Sequence, residues 1–105
     1  MKIAFIISES VTMKIGDCLS SATLFQIYDT NKASYETLEL PQVENEHHLS
    51  KLYSEYLKSH DVHILIGKDL GPKAMSSLDD QGITWLNVSS SDSKEDIVNQ
   101  IINKK

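Results

Sequence analysis

The stretch from Asp61 to Leu86, DVHILIGKDLGPKAMSSLDDQGITWL, constrains the fold more than any other part of the chain. An apolar run ends at Gly67. Gly71-Pro72 follows, then a helical pattern, then Gly82 and a second short apolar run. Proline suits the first turn of a helix, where its missing N–H would have no partner anyway. Glycine suits the position just past a helix end, where a left-handed backbone is cheap. The segment therefore reads strand, tight loop, helix, glycine stop, strand. Such a unit sets the N–H groups of a helix start beside a strand end, where open α/β sheets bind ligands.

The remaining pattern extends this unit to the whole chain. Lys2 to Ile7 is nearly all apolar, which predicts a central strand covered on both faces. Ser8 to Leu19 is polar and mixed and reads as a loop. Ala22 to Asp29 is rich in β-formers, Asp29 to Lys32 is turn chemistry, and Ser34 to Leu40 alternates weakly, as an outer hairpin strand does. Pro41 ends it. Leu49, Leu52, Tyr53, Tyr56 and Leu57 fall at helical spacing and predict a helix over 46–59. Val62 to Ile66 is a strand, Pro72 to Gln81 a helix burying Ala74, Met75 and Leu78, and Ile83 to Val88 the last strand. Asp92 with Glu95 forms a capping-box pattern ahead of Ile97, Val98, Ile101 and Ile102. The order is β-β-β-α-β-α-β-α. With right-handed βα crossovers, it predicts an α/β domain over residues 1–105. Its mixed five-stranded sheet has order 3-2-1-4-5, strand 2 antiparallel, and three helices: the ribonuclease H-like arrangement.

Charge and cysteine content narrow the function classes. The 105 residues carry a formal charge of −5, with no basic run beyond Lys104-Lys105. Nucleic-acid binding and docking on anionic membranes both need a concentrated basic surface and are disfavoured. The first apolar run is too short for a secretory core or a membrane span. One cysteine, Cys18, permits no internal disulfide, which fits a reducing cytoplasm.

In this topology the C-terminal ends of strands 1, 3, 4 and 5 share one edge with the start of strand 2. The loops expected there carry Ser8 and Glu9, Cys18 to Ser21, Asn45 to His48, Gly67 to Pro72, and Asn87 to Ser91. Cys18 is either a soft ligand for iron–sulfur or copper centres or a small buried apolar residue. Of His47 and His48, adjacent at a helix start, at most one can point at a site; both are otherwise solvated cap residues. His60 and His63 fall at the opposite edge and read as structural or surface residues. Gly67-Lys68-Asp69-Leu70-Gly71-Pro72-Lys73 is not a phosphate loop, since Pro72 stands where lysine should follow glycine and removes an amide. Its N–H groups can contact an anion or metal sulfide, or the segment simply turns the chain. Two-metal nucleases need clustered carboxylates; Lys2–Ile7 has none, and Glu9 lies beyond it.

Met1-Lys2-Ile3-Ala4-Phe5, Phe25-Gln26-Ile27-Tyr28-Asp29, and Asp61 to Gly67 followed by Leu70-Gly71-Pro72-Lys73-Ala74 resemble the dinitrogenase iron–molybdenum cofactor biosynthesis family. Leu78 and Gly82-Ile83-Thr84-Trp85 match the character of its ending. The resemblance spans the whole chain, and G-x-x-x-G-P-x-A is its most specific part. It implies the ribonuclease H-like fold and an association with metal–sulfur clusters, including iron–molybdenum cofactor precursors. The family commonly shows H-F-G-x-x-x-x-F before the second strand. Here Cys18 takes the histidine position, Leu19 the phenylalanine and Ser20 the glycine. The histidine-bearing glycine-rich loop of many members is replaced by Val43 to His48.

The resulting expectation is a cytoplasmic, nitrogen-fixation-related, non-catalytic carrier of an iron–sulfur or iron–molybdenum type cluster. Its partner would be a cluster donor or acceptor protein. Cys18 would be the metal ligand, with Ser20, His47, His48, Gly67 and Gly71 around the cluster. The alternative is a cofactor-free interaction or regulatory module on the same fold.

Overall fold

The computed structural model describes residues 1–9, 14–15, 22–40, 49–88 and 94–103. Cys18, Ser20, His47 and His48, and the proposed capping Asp92, lie outside the described residues. The elements are β1 (Lys2–Glu9), β2 (Lys14–Ile15), β3 (Leu24–Asp29), β4 (Ser34–Glu39), α1 (Leu49–Ser59), β5 (Val62–Gly67), α2 (Pro72–Asp80), β6 (Thr84–Asn87) and α3 (Lys94–Asn103). The sheet runs β4-β3-β1-β5-β6, with β2 paired to β1 off this path. β3 is antiparallel to both β1 and β4, while β1, β5 and β6 are parallel. This is the expected 3-2-1-4-5 arrangement, with β3 as the reversed second strand.

The reading of Ser8–Leu19 as a loop needs correction. β1 continues through Ser8 and Glu9, because Lys14 and Ile15 return to pair with it at Glu9 and Ile7. β5 pairs with β1 only as far as Phe5, and β3 holds the other side through Ile7. β2 therefore occupies the β5 side of β1 where β5 has ended. Glu9 is thus on the strand rather than beyond it. A two-residue strand carries too little pattern to be visible in sequence.

Ile3 to Ile7 are all fully buried, as a strand covered on both faces requires. Ala4 and Ile6 point with Phe25, Ile27 and Leu65 toward Tyr53, Leu57, Ala74 and Leu78 of α1 and α2. Ile3, Phe5 and Ile7 point the other way, toward Ile97 and Val98 of α3. The helices follow their apolar stripes with two adjustments. Leu52 is 39% exposed, and Ser54 turns inward instead, its Oγ donating to the Lys51 carbonyl at 2.9 Å. Met75 is only half-buried.

Local chemistry sets the element ends. Gly82, at φ 71, closes α2. Its N–H donates to the Asp79 carbonyl, and that of Ile83 to the Leu78 carbonyl, the Schellman pattern. Leu78 and Ile83, both buried, supply the accompanying apolar contact. In β5, His63 is an extra residue: Lys2 and Ile3 pair with Val62 and Ile64. The His63 Nδ1 accepts a bond from the Lys2 N–H at 3.3 Å.

The β3–β4 turn is held by Asp29, whose carboxylate accepts the Asn31 N–H at 2.9 Å. That bond holds the Asp29 carboxyl below its ordinary range. Ala33 completes the turn at φ 51, a left-handed position unfavourable for a residue with a Cβ. Ala33→Gly should relieve about 1–2 kcal/mol of strain and lose about 0.4–1 kcal/mol to unfolded-chain entropy. Urea denaturation should therefore show a small net gain; a net loss would mean the turn is not strained at Ala33.

Candidate functional site

The C-terminal ends of β1, β4, β5 and β6 and the start of β3 lie on one edge of the sheet. Thr23 fastens the β3 start to β1, its N–H and Oγ1 both donating to the Ile7 carbonyl, at 2.7 and 2.9 Å. Tyr56 of α1 reaches the β4 end, its hydroxyl donating to the Glu39 carbonyl at 2.6 Å.

The turn from Gly67 to Pro72 lies on this rim. Gly67 is buried, and its carbonyl accepts the Val88 N–H at 2.9 Å, so it closes the β5–β6 ladder. Leu70 is 2% exposed and anchors the turn in the α1/α2 core. The Leu70 N–H donates to Asn87 Oδ1 at 2.9 Å. One amide of the loop expected to face a ligand is therefore engaged within the protein. Asn87 was not visible as a loop anchor, because an asparagine at a strand end ordinarily reads as turn chemistry.

Gly71 differs from Gly67. It is the N-cap of α2, at φ −78 and ψ 166, with Pro72 beginning the helix. Gly71 has no side chain with which to cap the helix start, whose first N–H groups have no intrahelical acceptor. The backbone there suits any residue, and a Cβ at Gly71 would meet nothing within 4 Å. Neither the backbone nor packing among the described residues requires glycine here. Gly71 precedes the α2 N-terminus, where the helix dipole favours negative charge.

Of the predicted site residues, the structure places Gly67 and Gly71 on the rim. Cys18, Ser20, His47 and His48 lie outside the described residues. His60, near the opposite edge, stacks edge-on against Tyr56 with ring centroids 4.8 Å apart. Among the described residues, no group of three or more His, Cys, Asp or Glu side chains could hold a metal ion. Among the described residues, two hollows lie elsewhere. One, of 430 Å³, is lined by Asp79, Gly82, Ile83, Thr84 and Trp85, where the Trp85 indole N–H donates to Asp79 Oδ1 at 3.1 Å. The other, of 270 Å³, lies between the β3–β4 ribbon and α3.

Strand order defines a small α/β domain of the ribonuclease H-like arrangement, with the Gly67–Pro72 turn at the C-terminal ends of its parallel strands. The chain belongs to the dinitrogenase iron–molybdenum cofactor family, whose sequence profile matches residues 1–104. Three similar solved structures agree on the fold. The apo form of the orange protein from Desulfovibrio gigas superposes with a TM-score of 0.77 at 16% identity, covering 97% of this chain and 87% of its own. PH0822 gives 0.74 at 16% identity, covering 100% and 93%. A Thermotoga protein, TM1290, described as a candidate NifB protein, gives 0.71 at 19% identity, covering 98% and 88%. At these identities the likeness establishes the fold alone. No curated protein matches the sequence. No helix among the described residues is long and apolar enough to cross a membrane.

Proposed function

We propose that this protein is a non-catalytic carrier for a metal–sulfur cluster of the iron–molybdenum cofactor precursor type, exchanged with a donor or acceptor protein in the cytoplasm. The family match over residues 1–104 carries this reading. The glycine N-cap of α2, which offers no capping side chain of its own, supports it. A sulfide-rich cluster is anionic, the chain is itself at −5, and binding then needs local N–H donors. In this reading Cys18 ligates as a thiolate, one of His47 or His48 assists, and the Ser20 segment lies alongside. The first turn of α2 beyond Gly71 donates to sulfide, while Gly67 only fixes the loop.

Anaerobic reconstitution with ferrous iron, molybdate and sulfide tests the reading. The expected result is visible charge-transfer absorption with stoichiometric bound metal, and Cys18→Ala should reduce that metal to background. Colourless, metal-free protein would sink the carrier reading. An unchanged spectrum in Cys18→Ala would remove Cys18 and leave the carrier. The replacement of the histidine-bearing glycine loop by Val43 to His48 favours the alternative, a cofactor-free interaction module; that protein would stay colourless while binding a partner.

A further inference from the structure

The free edge of the sheet carries a second surface. β4 ends the strand order, and no described strand pairs with its outer side. In an antiparallel edge strand, every second residue turns its N–H and C=O outward, a template for another strand. All of Ser34–Glu39 except Leu38 is exposed. Proteins usually blunt such an edge with charge, lysine above all. Here the charges are Glu36 and Glu39.

Beside this edge, on the α3 face, Tyr35 leaves 39% of its surface exposed. Its ring packs 4.8 Å from Tyr28 and 6.4 Å from Phe5. The 270 Å³ hollow adjoins these rings, lined by Tyr28, Tyr35, Glu95, Val98 and Asn99. The Lys94 ammonium, bonded to Gln26 Oε1, sits 5.8 Å from the Tyr35 ring centroid. Burial, then the neighbouring Tyr28 and Glu95, push the Tyr35 phenol up, keeping it uncharged.

We propose that β4 is a docking edge for an extended basic segment of a partner protein, which adds to the sheet as a further strand and seats an arginine or lysine side chain over Tyr35 against Glu95. A residue opposite Tyr35 on an added strand would share its face, with Cβ atoms about 5 Å apart. A long cationic side chain from there reaches the hollow, where an aromatic ring and a carboxylate both favour it. Main-chain bonds supply affinity and the alternate side chains specificity. A second copy of this chain fits poorly: each copy carries −5, and pairing β4 with itself sets Glu36 and Glu39 among the same carboxylates.

The test is titration of the ¹⁵N-labelled full chain with the peptide TRVRVRT and its acidic counterpart TEVEVET. The arginine peptide should shift amides of Ser34–Glu39 and the first turn of α3; the acidic peptide should shift none. Tyr35→Ala and Glu95→Gln should each weaken binding by about 3-fold or more, and the double variant Glu36→Lys/Glu39→Lys by about 10-fold. Asp80→Lys, an exposed position on α2, should change it little. Every substituted side chain is exposed, and circular dichroism verifies folding. The proposal is overturned if no β4 amide shifts, if the shifts centre elsewhere, or if Asp80→Lys weakens binding as much as the edge variants. Dimerisation through β4 in sedimentation experiments would also overturn it.

Discussion

Phe25→Ala should lower the stability of this protein by about 3–5 kcal/mol, the usual cost of emptying a buried aromatic site. Phe25 has no exposed surface. It pairs across the sheet with Ile6 on one side and Leu38 on the other. Its ring meets Tyr53 edge-on, with centroids 5.8 Å apart at 85°. Truncation therefore removes the apolar transfer term, leaves a cavity where sheet meets α1, and deletes an aromatic pair worth about 0.5–1.5 kcal/mol. Native domains are held by only about 5–15 kcal/mol in total. At several degrees per kcal/mol for a domain of this size, the melting temperature should fall by more than about 10 °C. Thermal unfolding followed by circular dichroism measures it. A fall under about 3 °C would mean that the β3–α1 junction can collapse around the gap and is not a rigid centre of the core.

Gly71→Asp should move stability and cargo binding in opposite directions. The extended backbone at Gly71 and the free space around its Cβ position let an aspartate adopt the ordinary N-cap geometry without strain. Its carboxylate would accept the first free N–H groups of α2 and meet the positive end of the helix dipole, a gain of about 0.5–1 kcal/mol. In the proposed carrier those same N–H groups face sulfide. The aspartate would occupy them and place a negative charge beside an anionic cluster. Cluster retention against a chelator should fall by about 10-fold or more. Gly71→Asn separates the two effects, since it caps without charge and should cost less retention. Unchanged retention in Gly71→Asp would place the cluster away from the α2 start, even if Cys18 proves to be a ligand.

The elements were legible wherever a long periodic pattern met a clear stop. The run Ile3–Ile7 is uniformly apolar because both faces of β1 are covered. Pro72 and Gly82 bracket α2 because one lacks an N–H and the other tolerates φ 71. β2 escaped because two residues hold no period. Leu52, expected on the apolar stripe, is exposed while Ser54 is buried, because a helix stripe is wide and packing against the sheet chooses which part of it is covered. At the rim, the Gly67–Pro72 turn could be placed from sequence, but its internal economy could not. Gly67 and Gly71 are the same residue type with different tasks, one ending a ladder and the other leaving a helix start open.

Sequence alone determined the order of the helices and of every strand but β2, and with it the edge on which the loop ends gather. These follow from periodicity, from proline and glycine stereochemistry, and from the twist of strands, all local or nearly so. Tertiary structure alone decided that Asn87 takes the Leu70 amide, and that Tyr28, Tyr35 and Glu95 line one hollow. Those facts join residues distant in the chain, and hydrogen bonds and ring contacts between them exist only once the sheet and its helices have fixed the distances.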